Sequence, residues 1–161
     1  MGVGPVIIGY DGSRTAQRAI EEGGALLTSH EALIVTVYEP GVAFDLVDLP
    51  TMPPAPLDVR AAIEIDRALY DAARQVARQG AQLAEKAGLV AEPLVVADQL
   101  TVAETLLRVV KERDAQAVIV GTQRRLGLRD IILGSTARGV IRSAPCPVVV
   151  VRAEENAKDA R

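Results

Sequence analysis

Five short runs of apolar residues recur along the chain, and longer segments with helical spacing separate them. The runs are 5–9, 32–37, 93–97, 117–121 and 147–151. Polar and apolar residues do not alternate within a run, so both faces of each strand are expected to be buried. Strands of this kind form a mostly parallel sheet that helices cover on both faces. The sequence therefore predicts an α/β fold with five strands and four helices.

The chain of 161 residues has the length of one domain. We expect a single domain over residues 1–153 and a charged tail over 154–161. Five prolines and no sustained period over 39–57 predict a loop there.

The first ten residues lack the features of a signal peptide, and no apolar run reaches the roughly 18 residues of a membrane span. We therefore expect a cytoplasmic protein that has no membrane partner.

Reactive side chains are scarce in this sequence. One histidine, His30, and one cysteine, Cys146, cannot form an internal disulfide or a Cys/His zinc site. We expect His30 to act as a charge near a helix end and Cys146 to be a buried thiol. A net charge of −3, one Phe, three Tyr and no Trp argue against nucleic-acid binding. Chemistry must therefore come from backbone amides, hydroxyls, carboxylates and arginines.

Ligands of open α/β sheets bind beyond the carboxyl ends of the strands. Asp11 follows the first run there, and Gly134-Ser135 opens a helix whose free N–H groups favour an anion. Two simpler interpretations stay open, namely an Asx turn for Asp11 and an ordinary N-cap for Gly134-Ser135. Neither a P-loop nor a G-x-G-x-x-G motif is present, so the common nucleotide-binding motifs do not apply.

Three segments together resemble the universal stress protein family. They are Val6-Ile-Ile-Gly-Tyr-Asp-Gly-Ser13, the stretch from Gly121 to Thr136, and Ala144-Pro-Cys-Pro-Val-Val-Val150. The resemblance covers about residues 6 to 152. It implies an open parallel sheet of order 3-2-1-4-5 with a Rossmann-like architecture, similar to the adenine nucleotide α-hydrolases. It also implies a homodimer formed through the last strand, Val148–Val151.

ATP-binding members of that family carry the motif G-x-x-G-x9-G-[ST]. By spacing, its first glycine falls on Gly121 and its last pair on Gly134-Ser135. The resemblance implies a site for ATP, with AMP or another adenine nucleotide as alternatives, and Mg²⁺ held only through the phosphates. The candidate binding residues are Asp11, Val37, Val120, Gly121, Arg124, Gly134, Ser135 and Thr136.

The second glycine of this motif is replaced by Arg124. Glycine allows positive φ and a close approach of the backbone. Arg124 either pairs with a phosphate or fills the phosphate site and prevents binding.

We favour a stress-response module that binds ATP and acts through its conformation or a protein partner. The alternative is a dimeric interaction protein without nucleotide. Catalysis is not favoured, and the absence of a Walker-type lysine predicts slow ATP hydrolysis at most.

Overall fold

The computed structural model describes residues 3–26, 31–41, 59–98, 100–122 and 133–152. Within this part of the chain, five strands alternate with four helices, as the sequence predicts. The strands are β1 (Gly4–Gly9), β2 (Glu31–Tyr38), β3 (Val90–Ala97), β4 (Ala115–Thr122) and β5 (Val148–Arg152), and the helices are α1 (Arg14–Ala25), α2 (Val59–Lys86), α3 (Val102–Glu112) and α4 (Ser135–Ser143).

The strands form one parallel sheet of order β3-β2-β1-β4-β5, which confirms the order that the family resemblance implies. β1 is the central strand, and its Ile7 pairs with Leu33 of β2 and Val118 of β4. The strand order reverses between β1 and β4, so the crevice at their carboxyl ends is the expected place for a ligand.

The core has two layers, one on each face of the sheet. Ile7 and Ile8 are both 0% exposed, although they are neighbours in sequence. Ile8 packs with Ile20 of α1 on one face, and Ile7 packs with Leu106 of α3 on the other. Successive strand residues point to opposite faces, and each face has its own helices. This arrangement explains why polar and apolar residues do not alternate along the runs.

The helix boundaries follow local sequence features. The hydroxyl of Ser13 accepts a hydrogen bond from the Ala16 N–H at 3.2 Å and so caps α1. Thr101 caps α3 in the same way through the Glu104 N–H, also at 3.2 Å. Gly88, at a φ of +90°, follows the end of α2, a backbone conformation that glycine adopts easily.

The predicted buried face of α2 is confirmed in part. The helical period places six residues inward: Ala62, Leu69, Ala73, Val76, Leu83 and Ala87. Ala62 and Ala73 are buried, and Val76 and Leu83 are partly buried against the core. Leu69 is 37% exposed and Ala87 is exposed as well, so these two predictions are wrong. The buried residues of α2 are small: Ala62, Ala73, Ala77, Gly80, Ala81 and Ala84. A β-carbon on Gly80 would lie 2.6 Å from Cδ1 of Tyr10. At Gly80 the helix therefore packs so close to Tyr10 that a larger side chain does not fit.

On α4 the helical period places Val140 and Ile141 inward. Val140 is 0% exposed, which confirms its prediction, but Ile141 is 48% exposed, so that prediction is wrong. Four predictions fall on residues outside the described ranges, namely those for His30, most of the proline-rich segment, Arg124 and the charged tail.

Among the described helices, none combines the length and the apolar character that crossing a membrane requires.

Candidate functional site

A cavity of about 350 Å³ opens where β1, β2 and β4 end and α1 and α4 begin. Seven of the eight candidate binding residues line it, and the eighth, Arg124, lies outside the described ranges. The seven are Asp11, Val37, Val120, Gly121, Gly134, Ser135 and Thr136. The fold thus brings together residues that are far apart in sequence, while their role in binding stays a prediction.

One side of the cavity is apolar. Val35 and Val37 of β2 and Val120 of β4 face Val102 and Leu106 of α3. Val35 and Val120 are buried, whereas Val102 is 39% exposed at the first position of its helix. Such a wall suits the flat apolar faces of a planar ring.

Val102 and Leu106 were not among the predicted site residues. They come next to the strand residues Val35, Val37 and Val120 only in the folded chain, because α3 begins beyond the carboxyl end of β3. One feature of the sequence does point to Val102: it is an apolar residue directly after the capping Thr101, where polar residues are usual.

The loop after β1 supplies the polar side of the cavity. Oδ1 of Asp11 accepts a hydrogen bond from the Ser13 N–H at 2.9 Å, which confirms the Asx turn. Gly12 adopts a φ of +81° in this turn, a region that favours glycine. The Asp11 side chain is exposed, so its other carboxylate oxygen remains accessible to a ligand.

Backbone hydrogen bonds of Tyr10 to β2 hold the start of this loop in place. Its N–H donates to the carbonyl of Val35 at 2.9 Å, and its carbonyl accepts from the Thr36 hydroxyl at 2.8 Å. Burial raises the pKa of the Tyr10 phenol, a hydrogen bond with Gln17 lowers it, and the charge of Asp11 raises it, with a net upward shift. The phenol is therefore neutral around pH 7 and acts as an apolar and hydrogen-bonding support.

The two motif glycines have different surroundings. A β-carbon on Gly121 would lie 2.8 Å from the Thr15 carbonyl oxygen, so close packing of α1 on β4 requires glycine there. Gly134 has a φ of −57°, and no described atom lies within 4 Å of the position of its missing β-carbon. Neither packing nor backbone conformation in the described ranges explains Gly134. Its missing side chain leaves open space at the cavity rim.

The start of α4 presents backbone donors to this open space. Gly134 is the N-cap and forms no side-chain capping bond, and the first intrahelical bond runs from the Arg138 N–H to the Gly134 carbonyl at 3.0 Å. The N–H groups of Ser135, Thr136 and Ala137 precede that bond, and all three residues line the cavity. Together with the positive end of the helix dipole, these groups favour an anion.

Charged side chains are few around the cavity. Among its described lining residues, Asp11 is the single acid, and there is no Lys, Arg or His. The described residues also contain no cluster of His, Cys, Asp and Glu that would hold a metal ion. Within the described lining, the groups suited to hold an anion are therefore helix N–H groups and hydroxyls.

Comparison with known proteins gives a match to the model of the universal stress protein family over residues 2–152. A universal stress protein of Thermus aquaticus is 30% identical over 149 residues, which cover 91% of this chain and 97% of that protein. A universal stress protein of Methanocaldococcus jannaschii is 38% identical over 50 residues, and this match covers 31% of this chain and 29% of that relative.

Solved structures share the fold at lower identity. A universal stress protein family protein from Arabidopsis thaliana, with AMP bound, has a TM-score of 0.60 at 16% identity and covers 98% of this chain and 95% of its own. The universal stress protein from Archaeoglobus fulgidus in complex with dAMP has a TM-score of 0.57 at 20% identity, covering 94% and 99%.

Proposed function

Because this chain belongs to the universal stress protein family, we propose that the cavity at the ends of β1, β2 and β4 binds an adenine nucleotide. The observation that carries the proposal is the pairing of an apolar wall with an uncapped helix start across one cavity. Structures of two relatives with AMP and dAMP support it. The cavity of about 350 Å³ is large enough for a nucleoside with its first phosphates.

Each part of the nucleotide has a matching part of the cavity. The adenine ring lies against Val37, Val120 and Val102, where burial of its faces drives binding. Asp11 accepts hydrogen bonds from the ribose hydroxyls. The phosphates lie at the start of α4, where Gly134 leaves room and Ser135 and Thr136 donate through their N–H and hydroxyl groups.

The proposed ligand is ATP, and AMP or another adenine nucleotide fits the same contacts. Mg²⁺ is held only through the phosphates. Hydrolysis is slow at most, because Asp11 is the single carboxylate in the described lining and its Oδ1 already accepts the Ser13 N–H. The protein thus serves a stress response through its nucleotide-dependent conformation or a protein partner, rather than through turnover.

Arg124 supports a second candidate function. It stands at the position of the second motif glycine, and an arginine side chain can form paired hydrogen bonds with a phosphate. If it fills that position, the protein is a dimeric interaction module without nucleotide.

The proposal also includes a homodimer formed through β5. This strand is an edge of the sheet, and Val148, Val149 and Val150 remain only half-buried in the single chain. A bare apolar edge favours pairing with another strand. Sedimentation equilibrium should give a dimer at micromolar concentration. A protein that stays monomeric at the highest concentration at which it is soluble would contradict this part.

One comparison separates nucleotide binding from its alternative. The purified protein has no Trp and three Tyr, so bound adenine would dominate its absorbance near 260 nm. Calorimetric titration of the nucleotide-free protein with ATP should then show binding in the parent and in Arg124→Gly. Binding that appears only in Arg124→Gly would establish the interaction module instead.

A further inference from the structure

A groove of about 730 Å³ runs between α3 and α4. Each of these helices precedes a parallel strand, so both run from the carboxyl edge of the sheet to its amino edge. They approach closely, because a β-carbon on Gly139 would lie 2.6 Å from Cβ of Ala103. The groove therefore follows the two helices along the surface and has small and apolar residues, including Leu107, along its length.

This groove adjoins the cavity at the ends of β1, β2 and β4. Val102, Ser135 and Thr136 line both. The N–H groups at the start of α4 thus stand at the junction of the two spaces. A group attached to the phosphate end of a bound nucleotide would enter the groove directly.

The charges of the groove are divided along its length. Glu104 lies near the junction and accepts a hydrogen bond from the Thr101 hydroxyl at 2.8 Å. Arg108 and Glu112 form an ion pair at 3.5 Å. Lys111 and Arg142, in the last turns of the two helices, form no ion pair with another described residue. The far end of the groove therefore has two cations without an anionic partner in the described ranges.

We propose that this groove is a second subsite, and that it takes an oxyanion joined by a linear tether to the phosphate end of the bound nucleotide. The proposal rests on the proposed function, and it names the ligand class as adenine nucleotides with an extended acidic tail. Thr136 and Arg142 are six residues apart on α4, so the tether spans about 9 Å at 1.5 Å per residue. The tether lies on Ala103, Leu107 and Gly139, and the oxyanion lies between Lys111 and Arg142.

Two ATP derivatives with opposite terminal charge provide the test. γ-(6-Aminohexyl)-ATP has a cationic tail, and its N-succinyl derivative carries a carboxylate on a longer tail. Calorimetry at low ionic strength should give tighter binding of the succinyl derivative by about fivefold, the effect expected of two exposed ion pairs. The preference should shrink in 1 M salt, since exposed charges are screened.

Variants locate the preference. In Lys111→Gln/Arg142→Gln the two derivatives should bind equally, while the affinity for ATP stays as in the parent. The matched control is Arg74→Gln/Arg78→Gln, which removes two exposed cations from α2 on the other face of the sheet and should keep the preference. Thermal unfolding by circular dichroism checks that every variant is folded.

A spectroscopic measurement complements the affinities. In ¹⁵N-labelled protein, the succinyl derivative should shift the amide signals of Gly139 and Ser143, and ATP should leave them unchanged. Equal affinities in the parent, or a preference that persists in the Lys111/Arg142 double variant, would overturn the subsite while ATP binding stands. Failure of ATP itself to bind would overturn the proposed function and the subsite with it.

Discussion

Gly121 of β4 lies directly against the backbone of Thr15 in α1, and a β-carbon on this glycine would be 2.8 Å from the Thr15 carbonyl oxygen. Backbone atoms inside a helix move only with the helix. Gly134, the other motif glycine, has no described neighbour within 4 Å of the same position. The two glycines of one motif thus differ: Gly121 allows the fold to pack, and Gly134 leaves open space at the cavity rim.

Gly121→Ala should therefore destabilise the fold. The added methyl group forces α1 away from β4, and overpacking of this kind typically costs about 1–3 kcal/mol. Urea unfolding measures the change. Gly134→Ala is the matched control and should stay within about 0.5 kcal/mol of the parent. Equal stability of the parent and Gly121→Ala would contradict the close approach to Thr15.

Val102→Asp should weaken nucleotide binding without destabilising the protein. Val102 is 39% exposed and lines the apolar wall, so a carboxylate there removes contact with adenine and repels phosphates. An acid in the first turn of α3 also interacts favourably with the helix dipole, so the free energy of unfolding should change by less than about 1 kcal/mol. Calorimetric titration with ATP should show a loss of affinity of at least about tenfold.

The control for this variant is Leu100→Asp, on an exposed side chain that does not line the cavity. It should bind ATP as the parent does. Similar losses in both variants would mean that added negative charge, rather than the apolar wall, accounts for the effect.

Tyr10 should make the fold sensitive to alkali. Its pKa in the folded protein is raised above the ordinary value of 10.0, mainly by burial. Well below pH 10 the Tyr10 phenol is protonated in both the folded and the unfolded protein, so its contribution to the free energy of unfolding is fully present. Above pH 10 the phenol ionises first in the unfolded protein, so the free energy of unfolding falls as the pH rises towards the pKa of the folded protein.

Tyr10→Phe should consequently lose less stability than the parent between pH 9 and pH 11, a window set around the ordinary phenol pKa of about 10. Urea midpoints at several pH values measure this, with Tyr70→Phe as a control on an exposed tyrosine. Parallel pH profiles for the parent and Tyr10→Phe would rule out the contribution of Tyr10.

Cys146 should react slowly with thiol reagents. The sequence predicts a buried thiol, and the structure shows a half-buried one, next to the core layer that contains Val110 and Ala115. This partial burial raises its pKa. Since only the thiolate reacts, alkylation by iodoacetamide at pH 8 should be at least about tenfold slower than that of glutathione. Unfolding in urea should remove the difference. A folded protein that reacts as fast as glutathione would contradict an inert structural thiol.

Much of the fold could be predicted because strand burial leaves a direct trace in sequence. Ile7 and Ile8 are adjacent and both apolar because each faces its own layer of helices. On α2 the prediction was wrong only at Leu69 and Ala87, which are exposed. The fully buried residues of this helix are alanines and Gly80, and the contact of Gly80 with Tyr10 leaves no room for a larger side chain at that position. A large apolar residue was therefore not a reliable sign of the buried side.

The candidate site was predictable where it lies close to a strand end and a helix start in sequence. Asp11 and Gly134-Ser135 are of this kind, and the fold brings them to one cavity. Val102 and Leu106 line the same cavity from α3, which approaches β2 only through packing on the face of the sheet. Leu106 has the spacing of an ordinary residue of an amphipathic helix, and only the place of Val102 directly after the capping Thr101 is unusual.

Titration of the nucleotide-free protein with ATP and with AMP, in the parent, Gly134→Ala and Gly134→Val, tests adenine nucleotide binding most directly. We predict one binding site per chain in the parent, weaker binding in Gly134→Ala, and no measurable binding in Gly134→Val, with all three proteins equally folded. No binding of either nucleotide by the parent, or equal binding by the parent and Gly134→Val, would contradict the account.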